Sequence, residues 1–430
     1  MRAWSLAARG AGAVLLSLAA AAAAGAQTAA GPPATGALTM AEAVRLALQH
    51  NHQIKAQRLN VDASKADEVT AALKPNPVFS SVNENFPVFS PSQLTWDNIA
   101  NNQNYVESLS YTFERGGKRV KRTAVARDTT EVTAKTVMDA ERQLSFQTAQ
   151  DFINVLFAKS TLEFAEEDLK NFNEVVELNR QRMAAGNLAE ADFYRISLQK
   201  LQFEQDVSGA QVALVQARAA LRADVGFDAV PENFDVAGEL AFKKYAPTLD
   251  DLKQAALAAR PDLLAAQSGM KLAADSHALE LGNRTRDLTG EVEYDRAGSL
   301  NALGFGISFE LPFHDRNQGN IARAKVAMQQ ASESAEAARV AVMTDVVTAW
   351  AAYQTNDKVV SLYQSGYLAQ AKQSLDITSY VFQRGSGTLL DLLDAERTYR
   401  STELAFRQAL AAYMTSVEQL NFVVGKQVMQ

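Results

Sequence analysis

Between Lys118 and Ala185 nothing in the sequence breaks a helix, and the stretch from Asn320 to Arg384 reads the same way. At about 1.5 Å per residue each is a rod on the order of 100 Å long, more than a compact domain of this size can bury. The apolar spacing says what the rods pack against. Val155, Leu162, Leu169, Val176 and Met183 recur every seven residues, as do Val346, Tyr353, Val360 and Tyr367. One such seam makes a two-stranded coiled coil. Phe157, Phe164 and Leu178 add a second seam at the same period, so the first rod has neighbours on two sides, and helices flanked on both sides can close into a cylinder.

The rods belong to a duplicated chain. Gly186, Asp192 and Gly226 recur as Gly385, Asp391 and Gly425, each 199 residues on, while Thr39, Leu48 and Ile54 recur as Thr248, Leu257 and Leu263, 209 residues on. The first half therefore holds a longer loop, and the Asn-rich stretch Asp97 to Asn104 supplies the excess. The sequence divides into a leader at 1–26, a linker at 27–38, a first repeat at 39–230, a linker at 231–247 bracketed by Pro231 and Pro247, and a second repeat at 248–430. Each repeat opens with a helix. The first starts at Thr39, with Glu42 completing a capping box, and stops at Lys74-Pro75; its counterpart runs from Thr248 to about Asn283. Near Gly186 and Gly385 each rod turns back into a shorter helix that ends on Gly226 or Gly425.

After each opening helix the apolar period falls to two. Leu303, Phe305, Ile307, Phe309 and Leu311 alternate with Gly304, Gly306, Ser308 and Glu310, and before them Leu288, Val292 and Tyr294 oppose Thr289, Glu291, Glu293 and Asp295. In the first half Leu109, Tyr111 and Phe113 oppose Ser108, Ser110, Thr112 and Glu114, and a weaker strand starts near Val78. Any one such strand also fits a small soluble sheet with one wet face. Nine or ten residues is, however, roughly the length that crosses a bilayer as a tilted strand, which makes Leu303, Phe305, Ile307 and Phe309 lipid-facing. Four strands cannot close a barrel, because about eight are needed before side chains fill the interior, and open edges are not tolerated in lipid. Neighbouring subunits supply the rest; closure alone permits two, three or four copies.

Composition removes the competing classes. Arg2 and Arg9 flank an apolar stretch from Ala11 to Ala24 that closes with Ala24-Gly25-Ala26, the pattern of a signal peptide cut before Gln27. No other segment approaches 18 uninterrupted apolar residues, so membrane crossing falls to strands. With no cysteine there is no disulfide, thiolate metal site or lipidated N-terminal Cys. The formal net charge of −7, made more acidic by loss of Arg2 and Arg9, argues against nucleic acid and favours traffic in cations. The one basic cluster, Arg115-Gly116-Gly117-Lys118-Arg119-Val120-Lys121-Arg122, reads as a solvated junction. The four His, at 50, 52, 277 and 314, form no nucleophile–base signature, and His50 and His52 are too close in sequence to share a helix face. No catalytic residue, metal ligand or cofactor is assigned, and the chain is not read as an enzyme.

Together these features resemble the TolC-like outer-membrane efflux family over nearly all of the chain after the leader. Gly385 through Thr388-Leu389-Leu390-Asp391-Leu392-Leu393-Asp394-Ala395 is similar to that family's periplasmic-tip segment. Arg115-Gly116-Gly117-Lys118-Arg119 and Asp315-Arg316-Asn317-Gln318-Gly319 resemble its cobalt-zinc-cadmium resistance branch. The resemblance implies an α+β membrane channel: a homotrimer with a twelve-stranded barrel in outer-membrane lipid, a twelve-helix periplasmic tunnel and an equatorial mixed region. It also implies docking to a periplasmic membrane-fusion adaptor protein and an inner-membrane RND-type pump, with divalent heavy-metal cations as cargo. Acidic inward positions Glu291, Glu293 and Glu310 fit that cargo. A general drug-efflux or type I secretion duct is the alternative within the class, and a soluble periplasmic coiled-coil scaffold is the rival from outside it.

Asp391 and Asp394 are the candidates for the periplasmic constriction, since residues three apart share a helix face and a trimer would contribute three copies of each. Thr388 with an acid three residues on is also a capping box; Asp394 lies outside that motif. Where relatives with a locked tip carry an arginine this chain has Gly387, and Arg195, Arg384 and Asp192 stand as possible salt-bridge partners at the tip.

Overall fold

The computed structural model describes residues 37–84, 89–98 and 104–429; the leader expected at 1–26, most of the 27–38 linker and most of the Asn-rich stretch lie outside them. The first half runs α1 (Met40–His50), α2 (His52–Ala72), β1 (Val78–Glu84), β2 (Asn104–Phe113), α3 (Lys118–Ala184) and α4 (Glu190–Val225). The second runs α5 (Leu249–Ala259), α6 (Pro261–Asn283), β3 (Leu288–Ala297), β4 (Leu300–Ser308), α7 (Gln318–Leu362), α8 (Leu368–Gln383) and α9 (Leu389–Val424). Among the described residues no helix is long and apolar enough to cross a membrane.

Two expectations about helix continuity are corrected. Each opening helix is two helices. At Asn51 the backbone leaves the helical region (φ −60°, ψ 120°), and its side-chain oxygen accepts from the amides of Gln53 and Ile54 at 2.9 and 3.3 Å, starting α2 afresh. At the equivalent break Arg260 is extended (φ −68°, ψ 121°) because it precedes Pro261, whose ring disfavours a helical residue before it. The second rod is interrupted as well. Tyr363–Tyr367 form a wide π turn in which Gly366 sits at φ 129°, a conformation closed to other residues without strain. The heptad seam responds: Val346, Tyr353 and Val360 ahead of the turn are buried, whereas Tyr367 at its end is exposed.

The turn also explains a mismatch in the duplication. Buried Val137, Thr148 and Val155 of α3 match buried Ala335, Val346 and Tyr353 of α7 at a separation of 198, while the tip glycines Gly186 and Gly385 lie 199 apart. The π turn absorbs the extra residue and returns the two rods to step before the tip.

Two buried clusters repeat the same plan. Ala43, Leu46, Phe152, Val155, Leu214, Leu221 and Val225 form one; Leu252, Ala256, Val346, Tyr353, Tyr413, Leu420 and Val424 form the other. The segment 231–247 enters both, since Phe234 and Val236 belong to the first and Leu240, Phe242 and Tyr245 pack on the second. Phe172, Val176, Ile196 and Phe203 make a third cluster toward the tip, on which Leu389 and Leu393 of α9 pack.

The four strands form one antiparallel sheet in the order β1-β2-β3-β4. Its register runs Phe79, Leu109, Val292 and Phe305 side by side across all four strands, so one face carries a continuous apolar row. Leu303 and Ile307 share that face. Phe309 and Leu311 do not belong to it as a strand, because β4 ends at Ser308; both lie exposed in the segment that leads to α7.

Candidate functional site

The opposite face of the sheet is polar. Ser80, Ser108, Glu293 and Gly304 make one cross-strand row and Ser110, Glu291 and Gly306 the next. Gly304 and Gly306 place no side chain beside Glu293 and Glu291, and a Cβ added at either would stand 3.6 Å from the glutamate Cβ, in ordinary contact. In closed transmembrane barrels the apolar face meets lipid and the polar face the lumen. Glu310, expected in the same row, lies past the end of β4 and pairs instead with Arg286 at 3.0 Å.

Where strands hand over to rods, the two short branch motifs build the turns. Gly117 (φ 69°) precedes α3 and Asn317 (φ 61°) precedes α7, each in the left-handed region. Gly116 must be glycine, since a Cβ there would meet the Gly282 carbonyl at 2.6 Å. Asn317 is the one non-glycine at positive φ among the described residues; its amide donates to the Glu280 backbone carbonyl at 2.8 Å and carboxylate at 2.7 Å. Two charges of the basic run are paired locally. Lys118 pairs with Asp287 at 2.9 Å and Arg122 with Glu114 at 2.6 Å, and Arg122 also donates to the carbonyls of Ala71 and Leu73 that end α2. These motifs tie the start of each rod to the preceding helix and sheet. Among the described residues no cluster of three or more His, Asp or Glu fit to hold a metal ion occurs anywhere.

At the far end the two tips are built alike. Asn187 N donates to Arg182 O at 2.8 Å and Ser386 N to Val381 O at 3.1 Å, the same six-residue closure around Gly186 (φ 75°) and Gly385 (φ 79°). Asp391 is engaged in the capping box: its amide donates to Thr388 Oγ1 at 3.2 Å, and the Thr388 hydroxyl donates to its carboxylate at 2.7 Å. Asp394, one turn on, is exposed and pairs with Arg397 at 3.1 Å. Asp192 pairs with Arg195 at 3.3 Å, and the Arg384 guanidinium stacks 5.1 Å over the Tyr380 ring. Within one subunit the structure therefore does not bring Arg195 or Arg384 to Asp391 or Asp394. The tie between the tips comes from Arg182, which sequence reasoning missed. It donates to the carbonyls of Phe382 (3.3 Å) and Gln383 (2.5 Å) at the end of α8. Backbone acceptors leave no trace in a sequence, so only its place in the last turn of α3 hinted at a role.

A four-stranded sheet with one apolar and one acidic face, carried on rods that end in paired tips, defines a subunit of a barrel-and-tunnel channel. The chain belongs to the outer membrane efflux protein family, whose model matches residues 43–226 and 252–426. It is 23% identical over 395 residues, 91% of each chain, to the cobalt-zinc-cadmium resistance protein CzcC of Cupriavidus metallidurans. It is 24% identical over 269 residues to the cation efflux system protein CusC of Escherichia coli, covering 59% of this chain and 58% of that one. A crystal structure of CusC superposes with a TM-score of 0.75 at 19% identity, over 90% of this chain and 92% of the other. The protein is an outer-membrane efflux channel with a large periplasmic extension, built on the trimeric TolC-like fold and belonging to a transport family rather than to enzymes.

Proposed function

We propose that this channel is the exit duct of a tripartite efflux assembly, passively conducting divalent heavy-metal cations handed to it by a periplasmic adaptor and an inner-membrane pump. The likeness to a cobalt-zinc-cadmium resistance protein along 91% of both chains carries this reading. Glu291 and Glu293 on the polar face of the sheet support it, since acids repeated around a barrel concentrate cations. Deleting the gene and titrating growth against zinc, cadmium, cobalt and nickel tests it: metal tolerance should fall more than tolerance to organic drugs. Unchanged metal tolerance with a broad rise in drug susceptibility would reassign the protein as a general drug duct.

The duplication supports trimeric closure at the level of residues. Helix α6 packs between α3 and α7, with Ser268 on Glu131 at 3.1 Å and Lys271 on Asp128. Its repeat, α2, packs on α3 and, among the described residues, on no second rod to match, leaving Leu59, Val69 and Leu73 exposed. The face of α3 that receives α6 and α9, at Asp128, Arg142 and Ala149, recurs on α7 as exposed Val326, Val340 and Val347. One contact made inside the chain is thus left half-made at each end. Joining α2 of one subunit to α7 of the next completes it in a head-to-tail ring.

Asp391 and Asp394 lie exposed at the start of α9 and serve, in this reading, as the acidic periplasmic entrance. Their capping and Arg397 contacts leave carboxylate oxygens free for cations.

A further inference from the structure

The two hairpins of one subunit, α3–α4 and α8–α9, are joined above the tip by a polar cluster that the duct reading does not use. Asp168 on α3 is 5% exposed in an otherwise apolar seam. Arg400 of α9 reaches across to it, with Nε 2.8 Å from Asp168 Oδ2, pairs also with Asp206 of α4, and lies 4.3 Å over the ring of Phe203. Glu396, one turn before Arg400 on the same face of α9, stands beside the Asp168 carboxylate. Two carboxylates thus pair with one guanidinium, and a third, Glu396, lies against the first of them. Carboxylates only accept hydrogen bonds when ionised, so a contact between two requires a proton on one. Burial, with the Asp168 charge beside it, pushes Glu396 up to about 7, and burial also lifts Asp168 above its usual value against the pull of Arg400. The other charged groups nearby are Glu167 of α3 and, a turn further along α9, Glu403, which is paired with Arg407 at 2.9 Å. A cavity of about 560 Å³ lined by Gln202, Gln205, Asp206 and Arg400 opens beside the cluster and gives water access to the proton.

We infer that Asp168 and Glu396 share a proton that clasps α9 to the α3–α4 hairpin, making the grip between the two hairpins pH-dependent. The inference rests on the channel reading only for its consequence, since the clasp lies within one chain. Its sign follows from the direction of the shift. The clasped state holds a proton that separated carboxyls, with values near 4.5, release. Separation therefore liberates one proton between about pH 4.5 and 7, and its equilibrium constant rises up to about tenfold per pH unit across that window and levels off above it. The clasp is tightest in mild acid and slackens as pH rises through 7.

The cysteine-free chain permits a direct test. Spin labels at Glu166→Cys on α3 and Thr398→Cys on α9, both exposed positions, are measured by pulsed dipolar spectroscopy in detergent-solubilised trimers diluted with unlabelled protein. The interlabel distance should be short and narrow at pH 5.5 and gain a longer population by pH 8. Glu396→Gln, which keeps the hydrogen bond without a titrating proton, should hold the short distance at both pH values, and Asp168→Asn should likewise remove the pH response. A distance that ignores pH in the parent, or the same response in either variant, would overturn the clasp. A monomeric particle in the same preparation would instead count against the channel assembly.

Discussion

Replacing Phe305 by Arg places a charge at the centre of the apolar row Phe79, Leu109, Val292 and Phe305. β4 spans nine residues. At about 3.4 Å per residue and a tilt near 40°, it covers roughly 23 Å of depth, with Phe305 about 13 Å below Leu300 and so near the bilayer midplane. An arginine there costs about 2–4 kcal/mol. Three copies far enough apart to add make this about 6–12 kcal/mol for a trimer, enough to dominate its assembly. The matched control is Ser108→Arg, one residue off the row and on the other face, where Glu293 is its cross-strand neighbour; that change should be close to neutral. The assay is the urea dependence of assembly in lipid vesicles, scored as the unheated trimer band on gels. Equal losses for Phe305→Arg and Ser108→Arg would refute the assignment of the two faces.

Two further outcomes follow from the same geometry. Oxidising the double variant Leu59→Cys with Gln329→Cys, the intersubunit counterparts of Ser268 and Glu131 by the repeat separations, should give covalent dimers and trimers, with neither single variant cross-linking; a measured trimer without the bond would refute head-to-tail packing of α2 on α7. Replacing Asp391 and Asp394 together by Ala should raise single-channel conductance in planar bilayers and weaken block by divalent cations from the periplasmic side, and conductance and block equal to the parent's in an assembled trimer would move the entrance elsewhere.

What the sequence made legible was whatever periodicity encodes. Alternation put Leu303, Phe305 and Ile307 on one face and Glu291 and Glu293 on the other, and the register agrees. Local propensity was less informative. Asn51 splits a helix because its side chain offers a second N-cap, and Gly366 reads as tolerable in a helix until the extra residue it accommodates is counted. Phe309 and Glu310 continued the alternating pattern past Thr289↔Ser308, where the pairing of β3 with β4 stops. The tip was the least legible region. Arg182 acts on backbone carbonyls and Arg195 and Arg384 on local partners, so charge pattern alone could not say which arginine spans the two hairpins.

The duplicated halves are chemically unequal in a way that bears on transport. In the first half the face of α3 at Asp128 and Arg142 is polar and is met within the chain by Lys271 of α6 and the Phe422 carbonyl of α9. On α7 the matching positions are Val326 and Val340, and on α2 the position matching Ser268 is Leu59. The contact inside a subunit is therefore held by charges, whereas the contact proposed between subunits is apolar. Apolar burial gains stability without fixing a single hydrogen-bond register, whereas buried charges must stay paired. A ring with alternating seams of this kind can slide at its three intersubunit joints while each subunit keeps its own hairpins in register. Motion between hairpins inside a subunit would have to break Arg400 from Asp168, the contact beside which we infer the shared proton.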